Sequence, residues 1–155
     1  GGGRGVGGGG AGGGGWWGGG GGRVGGGGRG VFRGLERVER RMGGRVLVVE
    51  GSFTADLGPQ LGEVPVHQAL GVLSWDGRAG KWVFRTYTAR GGHGEAKEAE
   101  VADGRMVWGY DDPRMGRVRY TITRTEAGEW REVGDASSDG GATWRPFFEM
   151  VLTRR

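Results

Sequence analysis

The sequence predicts an all-β protein, an up-and-down antiparallel β-barrel of nine or ten strands preceded by a glycine-rich segment. Three observations predict it. From Val31 onward, short segments rich in Val, Phe, Trp, Tyr and Thr recur about every ten residues. Within several of them polar and apolar residues alternate with the period of two that leaves one face buried. The chain has 155 residues and no cysteine. It can therefore build one core, held by packing and backbone ladders rather than by disulfides or cysteine-bound zinc.

Of the first 30 residues 22 are glycine, interrupted by Arg4, Val6, Ala11, Trp16, Trp17, Arg23, Val24 and Arg29. Glycine loses the most backbone entropy on ordering and buries no side chain, so the default for residues 1–30 is a flexible low-complexity tail. Trp16 and Trp17 point the other way. A linker has little use for two indoles, whereas a barrel can use a tryptophan near its first strand as a plug. A poor first strand over Trp16–Val24, held by its neighbours against its own preference, is the alternative.

Residues 31–155 form the single domain, and its strands follow in order. Val31–Arg41 ends at Gly43-Gly44; Leu35–Met42 could compete as a helix, but the flanking glycines would leave it barely two turns long. Arg45–Thr54 follows with the apolar run Val46–Val49, and a longer loop with Pro59 and Pro65 leads to Val66–Trp75, which closes at Asp76-Gly77. Lys81–Arg90 alternates Trp82, Phe84 and Thr86 against Val83, Arg85 and Tyr87. Glu95–Ala102 is charged and reads as a short solvated strand, and Asp103-Gly104 signals a type I′ hairpin into Arg105–Tyr110. Arg117–Thr125, Glu129–Ala136 and Trp144–Thr153 complete the series. Left open, such a meander exposes two strand edges; closure removes them, and a barrel of eight or more strands has room for a small ligand.

The formal net charge of +4 belongs to one end of the chain. Residues 1–45 carry eight arginines against Glu36 and Glu39, a balance of +6, and the rest carries 14 basic and 16 acidic residues, a balance of −2. The domain proper is near neutral, which argues against a nucleic-acid-binding barrel. No apolar run is long enough to cross a bilayer and no secretory signal opens the chain, so a cytoplasmic protein without a membrane partner is expected.

The sharpest local pattern is Ser137, Asp139, Gly141, Thr143, Trp144, the S-x-D-x-G-x-T-W of an Asp box. Its physics is that of a hairpin turn, with the aspartate accepting from turn amides, and one copy without an arginine triad does not make a glycosidase. His67 alternates onto the face of Ala69, Gly71, Leu73 and Trp75, where it could touch a ligand, bind a metal or haem, or act as an acid or base; the plainer and preferred reading is a histidine hydrogen-bonded to a side chain of a neighbouring strand. His93 lies in the turn Arg90–Gly94 and reads as solvated, so the two histidines offer no metal spacing. Glu132, Glu149, Arg85, Arg119 and Tyr87 are further candidates for a lumen.

The stretch Glu129–Gly134 followed by Ser138–Met150 resembles the C-terminal part of DUF1579-type proteins. Val66–Asp76 is similar to their middle strand and Arg105–Tyr110 to a later one. The resemblance implies a calycin barrel of about ten strands, related in shape to lipocalins, fatty-acid-binding proteins and the nitrobindin haem barrels, with no established activity. Gly15, Trp17 and Gly19 match the G-x-W-x-G opening of those relatives, although the residues expected to alternate beside the tryptophan are all glycine. Haem ligation of the nitrobindin type needs a histidine near the C-terminal end; none follows His93, so no cofactor is expected.

The leading functional expectation is a non-enzymatic barrel that binds a small apolar or amphipathic molecule, with His67, Trp75, Trp82, Tyr87, Trp108 and Glu149 as candidate lining residues. An enzyme of the isomerase or cyclase kind, using His67 or a lumen carboxylate as general base, is the second. RNA binding through the Gly/Arg N-terminal tract is the third. Oligomeric state and ligand identity leave no mark in the sequence.

Overall fold

The computed structural model describes residues 14–24 and 28–154, with side chains from residue 30 onward. These residues form eleven strands: β1 (Gly14–Val24), β2 (Gly28–Arg41), β3 (Val46–Asp56), β4 (Glu63–Asp76), β5 (Lys81–Thr88), β6 (His93–Glu95), β7 (Glu98–Ala102), β8 (Arg105–Asp112), β9 (Gly116–Arg124), β10 (Trp130–Ser137) and β11 (Arg145–Arg154). The protein is all-β, and every ladder is antiparallel, in the order β6-β5-β4-β3-β2-β1-β11-β10-β9-β8-β7. Among the described residues no helix is long and apolar enough to cross a membrane. The helical competition at Leu35–Met42 is lost because β2 runs on to Arg41, where the left-handed φ values of Met42 (51°), Gly43 (67°) and Gly44 (88°) turn the chain into β3.

The glycine tract supplies a strand. β1 lies between β2 and β11, with Trp16 opposite Glu36 and Arg154, Gly20 opposite Phe32 and Met150, and Gly22 opposite Gly30 and Phe148. Glycine has the poorest strand preference, so the two flanking ladders hold this segment in place. A tail is thus replaced by a strand over 14–24, while the remainder of the tail expectation, residues 1–13 and 25–27, lies outside the described residues. The tryptophan plug expected there rests on side chains that are likewise outside them.

The two ends of the strand order are consecutive in the chain. The single strand expected over Glu95–Ala102 is broken at Ala96-Lys97, because there the backbone changes partner: Ala96 N donates to Phe84 O and Lys97 N to Gly109 O, each at 2.8 Å. One short segment therefore edges β5 through β6 and β8 through β7. Phe84 and Trp108, from β5 and β8, meet edge to face at 4.8 Å.

Aspartates nucleate three of the connections. Asp56 Oδ1 accepts from Gly58 N at 2.9 Å, Asp76 Oδ1 from Arg78 N and Ala79 N at 2.9 and 3.0 Å, and Asp112 Oδ1 from Arg114 N and Met115 N at 2.7 and 2.9 Å. Each side chain thus satisfies turn amides that the ladders leave over. At Asp103-Gly104 only the glycine has a left-handed φ, 66°, so the expected type I′ turn, which needs both residues there, is not formed. The principal core joins Phe32, Phe53, Ala55, Met150 and Leu152, with Val66, Trp130 and Phe148 packed against it. Phe53 and Phe32 meet edge to face at 5.7 Å, and Phe32 stacks on Phe148 at 5.4 Å.

Candidate functional site

Directly opposed residues in antiparallel strands share a face. Glu36 opposes Gly51, Gly51 opposes Ala69 and Ala69 opposes Thr88. On the other half of the sheet Trp108 opposes Tyr120, Tyr120 opposes Gly134 and Gly134 opposes Phe148. Members of both rows line one cavity of about 850 Å³, within the range of small-molecule sites.

The two rows differ in bulk. On β3 and β4 three of the inward residues are small, Gly51, Ala69 and Gly71, and at those positions they leave room for rings from elsewhere. Phe84 lies so close over Gly71 that a Cβ there would sit 2.6 Å from the ring. Across the cavity Trp108 stacks on Tyr120 at 4.6 Å, and Tyr110 lies 6.4 Å from Tyr120. The Tyr110 and Tyr120 hydroxyls share a hydrogen bond, and burial raises the pKa of both phenols. They stay neutral donors at any physiological pH.

Two carboxyls face this aromatic space. Glu132 of β10, opposite Ile122 and Met150, is 8% exposed, and burial first and repulsion from Glu36 second push its pKa up to about 8. Burial likewise pushes Glu36 of β2 up to about 7. Among the described residues neither carboxyl has a hydrogen-bond or ion-pair partner. At neutral pH the pair therefore retains at least one proton, because leaving two bare charges in a low-dielectric space is costly.

His67 opposes Phe53, with ring centroids 6.2 Å apart, at the solvent-facing end of the cavity. Burial among its neighbours and then the positive charge of Arg90 lower its pKa, which favours the neutral imidazole. His93 is exposed, as expected, but it begins β6 rather than lying in a turn, and it lines the same end.

The other expected lining residues stand elsewhere. Trp75 and Trp82 oppose each other on β4 and β5 and pack edge to face at 5.4 Å beyond the cavity, with Trp75 51% exposed. Tyr87, opposite Leu70, is 45% exposed. Glu149 is exposed and paired to Arg131 at 2.8 Å. Arg85 pairs with Glu95 at 3.0 Å, and Arg119 reaches Asp135 at 3.3 Å while its guanidinium lies 4.0 Å over the Trp144 ring. The structure thus brings His67, Trp108 and Glu132 together at one cavity and leaves Trp75, Trp82, Tyr87 and Glu149 off its walls. Sequence reasoning missed Glu36, Tyr110 and Tyr120. Period-two counting from Phe32 reaches Glu36, and the Trp108–Tyr120 pairing would have found the phenols had the β8–β9 register been known.

The Asp-box segment is a hydrogen-bonded turn away from the cavity. Asp139 Oδ1 accepts from Ser137 Oγ at 2.7 Å and Thr143 N at 2.9 Å, and Oδ2 accepts from Thr143 Oγ1 at 2.6 Å. Those donors, Thr143 first, hold the Asp139 pKa well below the carboxylate range. Among the described residues no three His, Asp or Glu side chains gather as a metal site. The Gly/Arg tract of the RNA reading falls largely on residues and side chains outside those described. Compared with known proteins, the chain matches no family model and no curated protein sequence.

Proposed function

We propose that the sheet closes into a lipocalin-like barrel and that its lumen binds a small, partly apolar molecule. Closure is supported by the chain itself, since Ala96 and Lys97 hydrogen-bond to β5 and β8 in succession and Phe84 meets Trp108 across that junction. The resemblance to DUF1579-type calycin proteins is part of the same proposal.

The observation that carries the binding reading is the cavity of about 850 Å³, walled by Phe84, Trp108 and Tyr120 and faced by the buried Glu132 carboxyl. A concave, largely apolar site of this size offers a small molecule dispersion contacts that water does not match. Native mass spectrometry of the purified protein tests it, together with calorimetric titration of a neutral naphthalene alcohol. A co-purified mass that denaturation releases, or saturable binding weakened by Trp108→Ala, is expected. Absence of both refutes the reading.

Glu36 and Glu132 favour a second reading, proton transfer on a bound substrate, because both titrate near neutrality, where a general acid or base works best. Turnover that both Glu36→Gln and Glu132→Gln abolish, with binding kept, would select it.

A further inference from the structure

We propose that the lumen prefers an organic cation, an amine whose ammonium group lies against Glu36 and Glu132 while its apolar body rests on Phe84, Trp108 and Tyr120. This rests on the reading of the cavity as a ligand site and names the chemistry of its ligand.

Among the described residues the two glutamates lack a partner. Glu132 is nine-tenths buried, lines the cavity and has no hydrogen-bond or ion-pair partner among the described residues. Glu36 lies over a glycine, its Oε1 3.4 Å from where a Cβ would stand on Gly51, so the backbone beneath it leaves its carboxyl to the lumen. A carboxyl kept in an apolar wall without a donor is unfavourable unless something supplies the donor. Among the described residues none supplies it. The one lysine at the cavity, Lys97, is ion-paired to Asp111, and the nearby Arg85 is paired to Glu95. The remaining titratable groups on the walls are the phenols Tyr110 and Tyr120, which hydrogen-bond each other, and the imidazoles of His67 and His93 toward the solvent-facing end. A cationic ligand is the missing partner.

The walls suit such a guest. Stacked aromatic faces attract an ammonium through their quadrupoles and cover a ring or chain through dispersion. An anion meets the opposite field, two carboxyls without a cation to offset them, and an uncharged ligand leaves both carboxyls as they were.

Proton movement gives the proposal a signature. The glutamate pair is partly protonated in the empty lumen at pH 7, and an arriving ammonium stabilises its charged form. Amine binding therefore releases protons to the buffer. The release shows as a binding enthalpy that varies with the ionisation enthalpy of the buffer.

Three probes of one shape test this by calorimetry at pH 7 in two buffers: 1-naphthylmethylamine, 1-naphthylmethanol and 1-naphthoate. The amine is expected to bind about 10-fold or more tighter than the alcohol, with proton release for the amine alone, and the naphthoate weakest. Glu132→Gln and Glu36→Gln, which keep shape and remove charge, are each expected to reduce that preference and the proton release while leaving alcohol binding in place. Equal affinity for amine and alcohol in the unaltered protein overturns the cation preference and leaves the lumen-binding reading standing. Failure of all three probes to bind overturns the cation preference, and if no co-purified mass is released on denaturation it overturns the lumen-binding reading as well. Retained preference in the folded double variant Glu36→Gln/Glu132→Gln also overturns it, since the selectivity would then come from elsewhere.

Discussion

Replacing Glu132 by Gln should make the protein more stable at alkaline pH, and the size of the gain follows from where the carboxyl sits. In the unfolded chain it titrates near the ordinary 4.5 and in the folded cavity near about 8. The folded state therefore holds a proton that the unfolded state has released. By linkage, the stability this group contributes is fully present below about pH 4.5 and is lost as the pH rises through about 8. At ~1.4 kcal/mol per pH unit across that interval, the loss is on the order of 5 kcal/mol. That is a large fraction of the stability of an ordinary domain. Gln has the shape of the protonated acid and no titration, so it should match the unaltered protein within ~1 kcal/mol at pH 5 and exceed it by several kcal/mol at pH 8.5. Urea unfolding at those two pH values, followed by far-ultraviolet circular dichroism, measures both differences. Equal destabilisation by Gln at the two pH values would refute the reasoning, because it would mean that the carboxylate has a partner in the folded state.

Three further outcomes are expected. Gly71→Val places a side chain where Phe84 lies, 2.6 Å from the Cβ position, and should cost roughly 1–3 kcal/mol by overpacking while shifting the fluorescence of the adjoining Trp108; an unchanged spectrum and stability would contradict the wall as described. Leu152→Ala removes a side chain with 0% exposure from the principal core and should cost about 2–5 kcal/mol in urea titrations, whereas a cost below half of that would show the site able to collapse. Asp139→Ala should lower the melting temperature at neutral pH. Its folded pKa is depressed, so the stability it contributes is present above the ordinary 3.8 and fades as pH falls through the lower folded value; a deficit that stays constant into acid would show the turn hydrogen bonds to be irrelevant.

What the sequence revealed and what it hid divide along a physical line. Strands such as β4 and β5 were legible because their inner face is written in period two, and His67 was placed on the face of Ala69 and Gly71 by counting alone. Trp75 and Trp82 share that inner face, yet alternation says nothing about depth, and the cavity ends before them. Glu149 failed for a simpler reason: its neighbours Phe148 and Met150 take the inner positions on β11. Glu36 was hidden by its surroundings, since Leu35–Met42 is rich in arginine and glutamate and reads as solvated whichever face is buried. The break between β6 and β7 left no compositional trace, because it is caused by a change of ladder partner and not by a glycine or proline at Ala96-Lys97.

The position of β1 in the strand order bears on how the molecule comes apart. Residues 28–95 form one run of strands and residues 98–154 another, and these two half-sheets are stitched together twice. One stitch is covalent, the Ala96-Lys97 step. The other is β1, which over residues 18–22 offers its neighbours a backbone and nothing else. A strand of identical glycines carries no record of its own alignment, since sliding it by two residues brings glycine where glycine was. Only Trp16, Trp17, Arg23 and Val24 distinguish one alignment from the next. Over residues 18–22 the second stitch therefore takes its register from the flanking strands, and parting it there strips hydrogen bonds alone. Between β2 and β11 the sheet is fastened, over those five residues, by a zip without teeth.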